Sequence, residues 1–159
     1  VFVSRADVRD VGVLGYMAKA MNTIFIDRTK KRDTQRVHDI IHATLDKGYG
    51  VHFFAESCIS QDAQVHPSKP PLLEPAVQRN IPVHYAAISY STPPGAPSAK
   101  TTIVWLDGVS LAQSILNVLR LPSFNATINF GDAPLTAPDR KELADKLYRA
   151  TLDRFTPVN

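Results

Sequence analysis

The run Asn22-Thr23-Ile24-Phe25-Ile26-Asp27-Arg28, followed at once by Thr29-Lys30-Lys31-Arg32, constrains this chain more than any other stretch. Four residues of strand character, Thr23 to Ile26, favour a buried extended segment. The acid, the arginine and the basic cluster behind them cannot follow them inside. The chain therefore leaves its sheet at Asp27 and places Arg28 at a strand's carboxyl end. In an open α/β sheet that edge is where ligands bind. A guanidinium there carries the planar fork that grips a phosphate through two hydrogen bonds. The same spacing serves equally well for an ordinary loop salt bridge of Asp27 with Arg28 or a neighbour.

Strand and helix patterns alternate along the rest of the chain. A strand is expected over residues 1–4, then a helix over 6–21 with Val8, Val11, Leu14 and Met17 at helical spacing. Gly12 and Gly15 mark a break in it or a close packing point, since Gly-x-x-Gly is not a dinucleotide fingerprint. Asp33 or Thr34 caps a second helix to about Lys47, with Val37, Ile40, Ile41 and Leu45 as its apolar stripe and Gly48 ending it. Strands are expected at 50–54, 83–90, 101–106 and 124–130, the third closed by Asp107-Gly108. Helices are expected at 72–79, at 110–120 with Leu111, Ile115, Val118 and Leu119 inward, and from Pro138 with Leu143, Leu147 and Leu152 inward. This alternation predicts an α/β domain, a largely parallel mixed sheet flanked by helices.

Composition narrows the function classes. A chain of 159 residues, 44% hydrophobic and 21% charged, suits one globular domain. The single cysteine, Cys58, excludes an internal disulfide and a cysteine-based zinc site. The net charge of +3 is concentrated: Arg28, Lys30, Lys31, Arg32 and Arg36 against Asp33 give a local +4. Such a cluster meets phosphate or an anionic membrane surface, or is simply a solvated loop. No run is long enough to span a membrane, and no signal peptide is evident.

Three further stretches carry candidate chemistry. Glu56 stands just past the strand at 50–54, as Arg28 stands past its own, so the two share one rim of the sheet. A carboxylate there accepts hydrogen bonds from a glycerol-like hydroxyl, orients a basic loop, or is a solvated acid. Ser57 and Cys58 lie on a strand-to-helix turn, but the glycines of a nucleophile elbow are absent, and Cys58 reads better as a small packed residue. His38 and His42, four apart on one helical face, approach a zinc pattern that lacks its glutamate and third ligand. Packing beside the apolar stripe explains both.

Together these stretches resemble the glycerolipid acyltransferase family, of the 1-acylglycerol-3-phosphate acyltransferase type. Its second motif is Gly-x-x-Phe-Ile-Asp-Arg, matched by Asn22 to Arg28 except at the first place, where Asn is the natural substitute if φ is positive. The third, Phe-Pro-Glu-Gly-Thr-Arg-Ser, is similar to Phe54-Ala55-Glu56-Ser57-Cys58-Ile59-Ser60 at Phe54, Glu56 and Ser60. The fourth resembles Ile81-Pro82-Val83. Leu72 to Ala76 and Trp105 to Gly108 also look like bacterial members. The resemblance implies transfer of a fatty acyl group from acyl-CoA or acyl carrier protein to the hydroxyl of a lysophospholipid. It implies peripheral contact with the cytoplasmic face of a membrane, and no metal, cofactor or nucleic acid. Arg28, beside Asp27, would hold the acceptor phosphate. Glu56, with Ser57, would take the acceptor-side role of the third motif, and Lys69 would add positive charge.

The sequence departs from the family in two places. The catalytic Asn-His-x-x-x-x-Asp is absent: five residues beyond His38, His42, His52, His66 and His84 stand Ala43, Lys47, Ser57, Pro71 and Ser89. It would normally precede the first strand, so the expectation is one acyltransferase-type domain over residues 1–159, cut at its amino terminus and inactive alone. The alternative is a non-catalytic lipid- or phosphate-binding relative. Ile59 replaces the third motif's arginine, which weakens the case for lysophosphatidic acid as acceptor. Ser57 replaces its glycine, and a turn of different shape is expected there because positive φ costs a non-glycine residue about 1 kcal/mol or more.

Overall fold

The computed structural model describes residues 1–27 and 29–159, with the side chain of Lys31 also outside the description. Arg28 therefore carries no structural statement below. The first unit is β1 (Val3–Arg5), a 3-10 turn (Ala6–Asp10), α1 (Gly12–Ala20) and β2 (Ile24–Ile26). β1 and β2 pair in parallel, Val3 opposite Ile24 and Arg5 opposite Ile26. The single helix expected over 6–21 is broken. Gly12 takes φ +38° at the junction, and a Cβ on Gly15 would stand 2.3 Å from the Arg9 carbonyl oxygen. Both readings of those glycines hold, one at each.

α2 (Lys31–Asp46) returns the chain beneath the sheet. Its Val37 and Ile41 bury against Val3, Ile24, Ile26 and Leu72, with Ile40, Leu45, Val51 and Phe53 around them. The chain then comes back beside β1 on the side away from β2. Here the expected strand at 50–54 shrinks to one parallel bridge, Phe2 with His52. His52 N–H donates to the Val1 carbonyl and Val3 N–H to the His52 carbonyl, both at 2.8 Å. Successive parallel crossovers in opposite directions, each right-handed, put α1 and α2 on opposite faces of this sheet.

The second sheet corrects the largely parallel prediction. β3 (Ala86–Ser91) and β4 (Asn125–Phe130) pair antiparallel, Ala86 opposite Phe130 and Ser91 opposite Asn125. Each sheet has two strands, so the fold is mixed α/β with small sheets. The pairing extends through Gly131 N–H to the Tyr85 carbonyl and a bridge of Val83 with Leu135. A Cβ at Gly131 would meet the Tyr85 ring at 2.2 Å, so any larger residue there would have to displace that ring.

Between β3 and β4 the strand expected at 101–106 is not formed. Ser98 Oγ accepts from Lys100 N–H, the Thr102 hydroxyl donates to the Ser98 carbonyl, and the Asn159 carbonyl takes the Lys100 N–H as well. These bonds wind the segment into the short α4 (Ala99–Thr102), overriding the β-propensity of Thr101, Thr102 and Ile103. α5 (Leu111–Leu119), capped by Ser110, keeps its apolar period but buries none of it, with Leu119 72% exposed. Of its expected inward stripe Leu111 and Val118 are only partly covered and Ile115 and Leu119 stand exposed; α5 packs against α4 alone among the described elements it meets closely.

The helix expected at 72–79 splits into a 3-10 turn (Pro70–Leu73) and α3 (Glu74–Gln78), because Pro75 supplies no N–H to continue from the turn. α6 (Arg140–Arg154) starts at its Asp139 cap, whose carboxylate accepts the N–H groups of Lys141 and Glu142. Leu143 and Leu147 bury with Ala144 and Leu73 in a second core, whereas Leu152 is left exposed.

Candidate functional site

β1, β2 and the bridge at His52 run parallel, so their carboxyl ends share one edge. Asp27 leaves that edge from β2, Arg5 to Asp7 leave it from β1, and Ala55 to Ser57 leave it beyond His52. Asp27 and Glu56 therefore lie on the same rim with β1 between them. That places them about two strand spacings apart, roughly 10 Å. They follow strand segments consecutive in sequence that are not neighbours in space.

Asp27 is fixed on both its backbone and its side chain. Its Oδ1 accepts the Thr29 hydroxyl at 2.6 Å and the Thr29 N–H at 3.0 Å, and Lys30 Nζ lies 3.2 Å from Oδ2. The Thr29 hydroxyl, its N–H and Lys30 hold the carboxyl below its ordinary value. Asp27 N–H in turn donates to Asp33 Oδ2 at 2.6 Å. Arg36 Nε donates to Asp33 Oδ1 at 2.6 Å, and its Nη2 reaches both Asp33 Oδ2 and the Phe25 carbonyl. Arg36 foremost, with the Asp27 N–H, brings the Asp33 carboxyl down to about 2. Asp33 stands in the first turn of α2 rather than at the cap, where a negative charge also meets the positive end of the helix. This clasp on β2's exit was missed from the sequence; its only signal was an acid and an arginine three apart just behind the basic run. A cleft of about 290 Å³ opens beside it, lined by Arg5, Ala6, Asp7, Ile26, Asp27 and Thr29.

Glu56 is half-buried in the turn that leaves the His52 bridge. Its Oε2 accepts the His66 N–H at 2.8 Å, and burial raises its carboxyl above the ordinary value against the pull of that bond. Ser57 adopts φ +63°, so the expected change of turn shape is not found: serine holds the left-handed backbone that a glycine would take. Asn22, at φ +53°, does the same at its own position. Lys69 is exposed, and its N–H donates to the Ala55 carbonyl at 2.7 Å, which ties it beside the Glu56 turn. Glu56, Ser57 and Lys69 thus gather on one side of β1, Asp27 and the cleft on the other.

The histidines have separate duties. His38 is buried and its Nε2 stands 2.7 Å from the Pro71 carbonyl, which can only accept, so that nitrogen carries the proton. His42 Nε2 lies 3.2 Å from Gln78 Oε1. Each thus fastens α2 to the segment at 70–78. Cys58 is exposed, not packed as its sequence reading had it. The loop behind it is anchored by Gln61, whose side-chain amide donates to the Trp105 carbonyl and accepts the Asp107 N–H.

A small parallel α/β unit carries charged side chains at its carboxyl edge, and comparison with known proteins gives it a family. Residues 1–89 match the family model described as Acyltransferase, and the chain belongs to the glycerolipid acyltransferase family. It is 26% identical over 149 residues to a 1-acyl-sn-glycerol-3-phosphate acyltransferase of Neisseria gonorrhoeae, covering 92% of this chain and 57% of that protein. The figures are the same for the protein of that name from Neisseria meningitidis serogroup B. It is 26% identical over 155 residues to a lyso-ornithine lipid O-acyltransferase of Brucella abortus, covering 90% of this chain and 58% of the relative. The chain spans somewhat over half the length of these relatives, and no solved structure matches it.

Proposed function

We propose that these 159 residues form the acceptor-binding scaffold of an acyltransferase that moves a fatty acyl group from acyl-CoA or acyl carrier protein to the hydroxyl of a lysolipid at the cytoplasmic face of a membrane. The observation that carries this is the family match over residues 1–89, which takes in β1, β2, Asp27 and the Glu56 turn. In this reading Arg28 grips the acceptor phosphate and Glu56 and Ser57 stand on the acceptor side. Lys69 adds charge beside them. The acceptor hydroxyl attacks the thioester carbonyl and the thiol leaves. A base must take the hydroxyl proton, and no His-x-x-x-x-Asp lies within the chain, so that base belongs to sequence outside Val1–Asn159.

The test is a transfer assay of the longer protein with a panel of lysolipids. Arg28→Ala should raise the acceptor KM by about tenfold or more with a smaller change in kcat, the loss of one charge-assisted bidentate contact. Unchanged acceptor kinetics would remove Arg28 from the site. A lyso-ornithine lipid is a second acceptor to include, because Ile59 stands where the third motif has a phosphate-binding arginine and two relatives carry that substrate in their names. If the longer protein transfers no acyl group to any acceptor yet binds lysolipid through Arg28, the non-catalytic reading takes over.

A further inference from the structure

α1 has almost no cover. Gly15 backs onto the 3-10 turn, while Val13, Tyr16 and Met17 are 75%, 74% and 51% exposed. With Ala20 they fall at the i, i+3, i+4, i+7 spacing of a single helical stripe, and Met21 extends it, 55% exposed. An apolar stripe of this kind in water marks a contact surface. Nine residues make a helix of about 13 Å, too short to cross a bilayer and suited to lying in its interface.

The charges around the stripe say what it meets. Arg9 precedes the helix and Lys19 lies in its last turn; both are exposed, and among the described residues neither forms an ion pair. Asp10 is the one acid between Arg9 and Met21. α1 runs against the strands, so its first turn lies at the same carboxyl edge as the basic loop after β2. We infer that this stripe sits in the interfacial layer of an anionic bilayer, with Tyr16 and Met17 at the acyl boundary and Arg9 and Lys19 on the headgroups. Tyr16 suits that depth, having an apolar ring and a polar tip. A second copy of this chain is a poorer occupant, because stripe-to-stripe contact would crowd like charges together. The inference rests on the acyltransferase reading, whose acceptor lies in a bilayer, and names the face that reaches it.

Flotation with phosphatidylcholine vesicles, with and without roughly one-third phosphatidylglycerol, tests it on the full chain. An environment-sensitive fluorophore on Tyr16→Cys in a Cys58→Ser background reports the face directly, with Asp153→Cys on α6 as the distant control. The expected result is flotation with anionic vesicles, weakened several-fold by high salt, and a blue shift at position 16 only. Tyr16→Ser with Met17→Ser should cut partitioning by about tenfold or more, with far-UV circular dichroism unchanged. Flotation with an unshifted label at position 16 would overturn the assignment, as would a stable dimer that shields that label. Absence of flotation, while the longer enzyme still acylates detergent-dispersed lysolipid, would overturn the membrane face and spare the acyltransferase reading. Intact flotation without transfer to any acceptor would uphold the face and remove that reading.

Discussion

Replacing Asp33 by Asn tests how the exit from β2 is held. Asp33 takes the Asp27 N–H on one oxygen and Arg36 Nε on the other, so neutralising it weakens three charge-assisted bonds at once. The drop of its carboxyl from 3.8 to about 2 corresponds to roughly 2.5 kcal/mol of preference for the charged form in the folded state. Its Arg36 partner is about half exposed (49%), so solvent screening reduces the expected loss to about 1–2 kcal/mol at neutral pH. For a chain of this size that is a fall in Tm of about 2–8 °C. The sign with pH follows from the direction of the shift. A carboxyl depressed in the native state stabilises it above the unfolded value of 3.8, and this contribution is lost as pH falls from there through about 2. Urea unfolding of both proteins from about pH 7 down to about pH 2.5 should therefore show a gap that is widest at neutral pH and narrows in acid. Equal stabilities at pH 7, or a gap that does not narrow, would refute the clasp.

Gly15→Ala should destabilise the chain by about 2 kcal/mol or more, since the new methyl would stand 2.3 Å from the Arg9 carbonyl oxygen and backbone must shift; thermal unfolding measures it. Glu56→Gln acts with the opposite pH sign from Asp33. Burial raises the Glu56 carboxyl, so its share of stability is full below the unfolded value of 4.5 and declines as pH rises through the higher folded value. The glutamine variant should lack that decline, which a comparison of urea midpoints at about pH 4 and pH 7 detects.

What the sequence made legible was local in origin. β2 was evident because apolar β-formers run into charge within one step, and α2 because its stripe has a clear period. Gly12, Gly15 and Asn22 were readable because backbone conformation leaves a mark on residue type. The antiparallel pairing of β3 and β4 was not legible, since their alternating patterns suit either direction and the partner lies 34 residues away between Ser91 and Asn125. The segment at 101–106 failed for a similar reason. Asn159, at the far end of the chain, supplies the acceptor that turns it away from a strand. Around the site, the identities at the rim were readable, but not that β1 lies between Asp27 and Glu56, nor that Asp33 holds the former in place.

Leu72 and Leu73, neighbours in one 3-10 turn, belong to different cores: the first faces α2 and the parallel strands, the second faces α6. Phe53 touches both clusters. The two prolines ahead of the leucines fix the rotation that sorts them. The molecule consequently has no seam there along which it divides into independent halves. Adding a single residue ahead of the leucines in that turn would carry Leu72 into the place of Leu73 and leave the first core without its leucine.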